Sequence, residues 1–158
     1  MIEQTLVLVK PDGVARGLVG EIIKRFEQRG LKIVALKMVK VNPDFSKKHY
    51  SEHIDKSFYK DLEKYITQGP VTAMIIEGAE AINIVRKIVG STFPGDANLG
   101  TIRGDFCHMS KDHAKTENKG YNLIHASANK TDAEKEISLW FSVNEIHNYK
   151  INSEEHVV

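Results

Sequence analysis

Apolar positions along the chain alternate between short continuous runs and helical stripes. Thr5 to Val9 is an unbroken aliphatic and β-branched run, the pattern of a strand covered on both faces. From Leu18 to Arg29 the residues Leu18, Val19, Ile22, Ile23 and Phe26 keep helical spacing, and Gly30 is a natural stop. Leu31 to Val41 alternates as a half-buried strand until Asn42-Pro43 breaks it. Asp44 to Gln68 predicts two short helices, the second over about Tyr59 to Ile66, in a hairpin that carries Tyr50, Phe58 and Leu62. Beyond the Gly69-Pro70 turn, Val71 to Ile76 predicts a third buried strand. Ala79 to Val89 predicts a helix with Ile82, Val85, Ile88 and Val89 toward the core and Arg86 directed away. A long irregular stretch then reaches about Gly120, and connections of that length are usually functional or disordered. Tyr121 to His125 predicts a fourth strand, and Asp132 to Phe141 a last helix with Thr131 as its N-cap. The order strand-helix-strand, helical hairpin, strand-helix-strand predicts helices packed on a four-stranded sheet.

Composition narrows this picture. With 158 residues, 41% of them hydrophobic, the chain suits one core and is short for two domains. Residues 1–150 read as a single domain and 151–158 as a polar, frayed tail. The 22 basic and 21 acidic side chains nearly cancel, so total charge gives no drive toward nucleic acid or anionic membrane, and an anionic ligand must be met by locally gathered cations. A lone Cys107 allows no internal disulfide and suits a reducing compartment. The N-terminus lacks a signal-peptide pattern, and no apolar run approaches the roughly 18 residues of a membrane span, so a soluble cytoplasmic protein is expected.

Candidate chemistry collects at predicted element ends. Gly13, Gly17 and Gly20 do not form a phosphate-cradling loop, because no glycine precedes Lys-Ser or Lys-Thr; Lys10 lies ahead of them instead. Lys10, Arg86 and Arg103 leave three different elements at or near their ends, and Arg103 beside Gly104 could grip an anion as a two-pronged fork. His125 ends the fourth strand among small residues, and Glu136, on the last helix, could hydrogen-bond one ring nitrogen and leave the other lone pair available. A packed histidine and a nucleophile both fit His125 taken alone. Together with the cations, the set points to phosphoryl transfer, in which the protein positions and neutralises the transferred group. His49 and His53 share zinc-site spacing without an acid between them, and Cys107, His108 and His113 match no metal pattern, so no protein metal site is expected. Lys111 to Lys119 reads as a polar, solvated loop.

Several of these segments, taken in order, resemble one family. Lys10-Pro11-Asp12-Gly13-Val14-Ala15-Arg16-Gly17, Gly100-Thr101-Ile102-Arg103-Gly104-Asp105-Phe106, Asn122 with Ile124-His125 and Ser127, and Ala133 to Phe141 look like nucleoside diphosphate kinase, over residues 3 to about 150. The resemblance implies an α+β fold with a ferredoxin-like antiparallel sheet of order 2-3-1-4 and an inserted helical hairpin. It implies ping-pong transfer of the terminal phosphate of a nucleoside triphosphate, typically ATP, to a nucleoside diphosphate, maintaining NTP and dNTP pools. By position, His125 would be the phosphohistidine nucleophile and Glu136 its orienting partner. Lys10, Tyr50, Arg86, Thr92, Arg103 and Asn122 would contact phosphates or ribose, while Phe58 and Leu62 would clamp the base. Mg2+ would arrive on the nucleotide phosphates, and the assembly would be a homo-oligomer, a hexamer or alternatively a tetramer.

Two departures stand out. The run between Phe106 and Asn122, about residues 107–121, is longer than the family connection, and Ala128 stands where the family has aspartate. Two rival readings have discriminating features. A nucleic-acid-binding sheet would present aromatics on its strands, which Leu6 to Val9 and Val71 to Ile76 lack. A phosphohistidine carrier for a protein partner would need no apolar base clamp at Phe58.

Overall fold

Strand β1 (Ile2–Val9) lies inside a four-stranded sheet, and its side chains divide by parity. Val7 and Val9 enter one apolar core and Leu6 and Leu8 the other, all fully buried. Cover on both faces is why the run is unbroken where a half-exposed strand would alternate. The computed structural model describes residues 1–117, 120–152 and 154–157.

The chain leaves β1 directly into a short helix, α1 (Pro11–Ala15), where the sequence pattern indicated only a strand end. Pro11 starts it, since proline fits a first helical turn that needs no N–H. Helix α2 (Val19–Gln28) buries Ile22 and Phe26, one turn apart, each burial stabilising by about 1.5–3 kcal/mol. Strand β2 (Lys32–Lys40) follows, then α3 (Pro43–His49), capped by the Asn42 side chain accepting from the Phe45 N–H at 2.8 Å. A single 3-10 turn (Ser51–His53) joins α3 to α4 (Tyr59–Thr67), completing the predicted hairpin. Strand β3 (Pro70–Ala79) and helix α5 (Ala81–Val89) come next.

The stretch read as irregular carries structure of its own: a 3-10 turn (Pro94–Asp96), α6 (Ile102–Phe106) and α7 (Lys111–Glu117). No residue of α7 is buried, so it leaves no apolar stripe in the sequence; Asn118 and Lys119, the end of the predicted polar loop, lie outside the described residues. Strand β4 is only Ile124–Ala126, because the backbone at Leu123 turns with φ +66° and cannot extend a ladder. Helix α8 (Lys130–Trp140) begins earlier than expected, and Asn129, not Thr131, caps it, its side chain accepting from the Asp132 N–H at 2.9 Å. Described residues of the expected tail contact the body of the fold. A last short helix, α9 (Glu154–Val157), brings Glu154 to 2.8 Å from Lys32, and the Tyr149 hydroxyl donates to the Ile33 carbonyl at 2.6 Å; Ser153 and Val158 lie outside the described residues.

The sheet order is β2-β3-β1-β4 with every neighbouring pair antiparallel, the ferredoxin-like order 2-3-1-4. One core gathers Ile22, Phe26, Val85 and Val89 from α2 and α5; the other gathers Tyr50, Tyr59 and Ile66 from the hairpin region with Trp140 and Phe141. Among the described residues no helix is long and apolar enough to cross a membrane.

Candidate active site

Strand parity aims the central histidine. Ile124 and Ala126 enter the α2/α5 core, so His125 between them, paired with Leu8 across the ladder, turns to the hairpin face. There its Nε2 meets Glu136 Oε1 at 2.9 Å, and the other carboxylate oxygen accepts from the Ser127 hydroxyl at 2.6 Å. Burial alone would raise the Glu136 pKa. Hydrogen bonding and charge from His125, together with the Ser127 bond, outweigh it and hold the carboxyl below its usual range. A carboxylate accepts, so the bonded Nε2 carries the proton and Nδ1 keeps its lone pair.

The cations sit at the start of β4. Lys10 is 7% exposed, buried although it stands at a strand end. Its Nζ donates to Asn122 Oδ1 at 2.7 Å and lies 5.0 Å from the centre of the Tyr65 ring. Burial first, then the charge of Arg103, lowers its pKa to about 7, with Asp12 opposing. Arg103 does not extend as a fork into solvent. Its Nε donates to the Asn122 carbonyl, one terminal nitrogen to Gly90 and Ser91 carbonyls, and the other to the Ile124 carbonyl at 2.7 Å, so four of its five N–H groups hold backbone. Gly104 permits this packing, since a Cβ there would run into the Asn98 carbonyl. Arg86 is exposed on α5, and its charge, after burial, lowers the Arg103 pKa to about 10. Thr92 is exposed, and its carbonyl accepts from Asn122 Nδ2 at 2.9 Å.

A cavity of about 370 Å³ opens beside His125, lined also by His49, Tyr50, His53, Ala128 and Glu136. Three buried polar atoms here have no hydrogen-bond partner among the described residues: His49 Nε2, Tyr50 Oη and His53 Nδ1. His49 Nδ1 accepts from Trp140 Nε1 at 3.2 Å, which leaves the proton on Nε2, and its ring meets that of His125 edge-on with centroids 5.0 Å apart. Burial and then the charge of His125 push the His49 pKa down to about 3, so His49 is neutral; burial first, then Glu136, pushes the Tyr50 phenol up. A larger cavity of about 630 Å³ between the start of β1 and α8 is mostly apolar and holds no convergent cations or nucleophile. Chemistry, not size, selects the smaller one.

The structure thus gathers Lys10, Arg103, Asn122 and the Thr92 backbone at one end of β4, and Tyr50 and Glu136 on the His125 face. Phe58 stands at the start of α4, 48% exposed with its ring 5.7 Å from that of His53, while Leu62 packs partly into the hairpin-side core. Several participants escape sequence reasoning. His49 draws attention there only as half of a metal pair with His53, and Ser127 only as part of a motif. Ser127 stands two residues after His125, hence on the same strand face, and that spacing was the available signal. Among the described residues His49, His125 and Glu136 bring one donor atom each within 4.8 Å of one another. Asn129 and Asp132, which follow Ala128 at the start of α8, bond each other through Nδ2 and Oδ2 at 2.8 Å.

Comparison with known proteins follows this geometry closely. The family model described as nucleoside diphosphate kinase matches residues 3–146. The nucleoside diphosphate kinase of Pyrococcus furiosus is 50% identical over 148 residues, covering 94% of this chain and 88% of the relative. That of Archaeoglobus fulgidus is 49% identical over 154 residues, covering 98% and 96%. Among solved structures, a transition-state mimic of the enzyme from Borrelia burgdorferi with bound vanadate and ADP superposes with a TM-score of 0.93 at 45% identity, covering 97% of this chain and 95% of that one. A halophilic enzyme from Halobacterium salinarum in complex with CDP superposes with a TM-score of 0.91 at 41% identity, covering 100% and 99%. Sequence and fold agree: the chain belongs to the nucleoside diphosphate kinase family, phosphotransferases that pass the terminal phosphate of a nucleoside triphosphate to a nucleoside diphosphate.

Proposed function

We propose that His125 Nδ1 is the atom that carries the phosphate. The observation behind this reading is the division of the ring: Nε2 is tied to Glu136 at 2.9 Å, so the remaining lone pair is on Nδ1. In the first half-reaction that lone pair attacks the terminal phosphorus, the P–O bond to the nucleoside diphosphate breaks, and the diphosphate leaves with the bonding electrons. Glu136 retains the Nε2 proton beside it and offsets the positive charge that grows on the ring. In the second half-reaction a terminal oxygen of another diphosphate attacks the phosphohistidine phosphorus, the N–P bond breaks, and the electrons return to Nδ1. No general base is needed, because a neutral imidazole is already nucleophilic.

The remaining roles follow position and chemistry. Lys10, Tyr50, Arg86, Thr92, Asn122 and the fifth N–H of Arg103 contact phosphates or ribose. Phe58 and Leu62 clamp the base by apolar surface, which tolerates many bases. The CDP held by the Halobacterium relative and the ADP held by the Borrelia relative, a pyrimidine and a purine, support such tolerance. Mg2+ enters as part of the substrate, on phosphate oxygens and water, the oxygen ligands it prefers. The enzyme works as a homo-oligomer, hexamer or tetramer, in the cytoplasm, with residues 1–150 as its catalytic domain.

The test is intact mass after incubation with ATP and Mg2+, then with GDP or CDP. A gain of one phosphoryl group, acid-labile, mapped to His125 and discharged by either diphosphate, is expected. No gain, or a gain at another residue, overturns the role of His125.

A further inference from the structure

Between Asn122 and Ile124 the chain makes a three-residue turn. The Ile124 N–H donates to the Asn122 carbonyl at 2.7 Å around Leu123, whose φ is +66°. Such a γ-turn with positive φ is rare and strained for leucine, so it persists only where the surroundings over-determine it. Leu123 is fully buried, and His125 lies two residues on.

The surroundings that fix this turn centre on one carboxylate. Asp12, on α1, accepts the Leu123 N–H on Oδ2 at 3.2 Å and the Tyr65 hydroxyl on Oδ1 at 2.7 Å. The Tyr65 oxygen in turn accepts the Asn122 N–H at 3.1 Å. Asp12 therefore engages two consecutive N–H groups of the turn, one directly and one through Tyr65. The Lys10 N–H closes the same side by donating to the Leu123 carbonyl at 2.8 Å. Gly13 lets α1 approach this closely: a Cβ there would stand 2.8 Å from Val9 Cγ1 and 3.1 Å from the Leu123 carbonyl oxygen. Arg103 grips the other side through the Asn122 and Ile124 carbonyls.

We infer that Asp12 is a positioning residue for phosphoryl transfer. Its carboxylate holds the strained turn at Leu123, and the turn sets the direction of the His125 ring and the placement of Asn122 against Lys10. This rests on the reading of His125 as the phosphate carrier. Asp12 acts through the backbone, so its loss affects the reacting geometry more than nucleotide affinity. Affinity is spread over many contacts, whereas a displacement of about 1 Å at the reacting atom can cost about 100-fold in rate.

The experiment compares Asp12→Asn, Tyr65→Phe and Tyr149→Phe with wild type by rapid-quench phosphorylation from ATP-Mg2+, steady-state kcat and KM, and thermal unfolding. Asp12→Asn keeps one acceptor oxygen but places an amide N–H against the second donor. Its phosphorylation rate and kcat are expected to fall about 10–100-fold, with KM changing about threefold or less. Tyr65→Phe loses only the indirect arm and falls less, and the double variant falls by less than the product of the two. Tyr149→Phe removes a bond of comparable length to the Ile33 carbonyl, away from the turn, and keeps the wild-type kcat. Should Asp12→Asn fail to fold, Tyr65→Phe carries the comparison alone. Wild-type kcat in Asp12→Asn or Tyr65→Phe, or a fall that only tracks the folded fraction, overturns the positioning role. Wild-type protein phosphorylated elsewhere than His125 overturns the reading on which it rests, and the peptide map separates the two failures.

Discussion

Replacing Glu136 by glutamine tests how the site governs its histidine. The side chain keeps its shape but loses its charge, and its amide can accept from only one of the two present donors, His125 Nε2 at 2.9 Å or the Ser127 hydroxyl at 2.6 Å. As the N–P bond forms, the His125 ring becomes cationic, and a full charge about 4 Å from a carboxylate is stabilised by about 4 kcal/mol at an effective dielectric of 20. Part of that survives as a neutral hydrogen bond, so the net loss is about 2–4 kcal/mol, or roughly 30- to 1000-fold in the phosphorylation rate. Single-turnover rapid-quench from ATP, with a circular dichroism check that α8 is intact, measures it. A rate within about threefold of wild type would refute the argument that the carboxylate supports the developing charge. Ser127→Ala keeps the charge and so should slow the step far less than Glu136→Gln.

Three further outcomes follow from the buried cations. Arg103→Lys should lower stability by about 2–4 kcal/mol in urea unfolding, because one ammonium cannot reach the carbonyls of Gly90, Ser91, Asn122 and Ile124 together and buried acceptors are left unpaired; an unchanged midpoint would show that the clamp contributes nothing. Lys10, lowered to about 7 chiefly by burial, is mostly neutral at pH 8 in the nucleotide-free protein, and a bound triphosphate would favour its charged form. Nucleotide binding at pH 8 is therefore expected to take up a proton that binding at pH 6 does not, read by calorimetry in buffers of different ionisation enthalpy; equal heats across buffers would refute it. The linked stability has a definite sign: from about pH 7 up to the ordinary lysine value of 10.5 the unfolded chain binds the extra proton, so this group favours folding increasingly as pH rises. Lys10→Met should flatten that rise.

Most of the framework was legible because two-sided burial leaves continuous apolar runs and one-sided burial leaves periodic ones. β1, β3, α2 and α5 all carried one of these patterns. α7 carried neither, since none of its residues is buried, and α1 is too short to show a period. The cap of α8 was misplaced by two residues because Asn129 and Thr131 are both good caps, and only the backbone path decides which side chain reaches the Asp132 N–H.

At the site, the sequence determined which chemical groups are present: a histidine at a strand end, a glutamate on the following helix and three cations, one of them a fork-shaped arginine beside glycine. It also determined the family, through segments whose residues match in order. Tertiary structure alone decided what each group is free to do. Arg103 has the chemistry of a phosphate fork, yet four of its N–H groups are spent on backbone. Lys10 looks like a surface lysine and is buried to the point that its charge is conditional. Asp12, 111 residues from Leu123 in the chain, accepts the Leu123 N–H. Hydrogen bonds and desolvation depend on distances between residues remote in sequence, so local pattern names the donors and acceptors but only the folded chain pairs them.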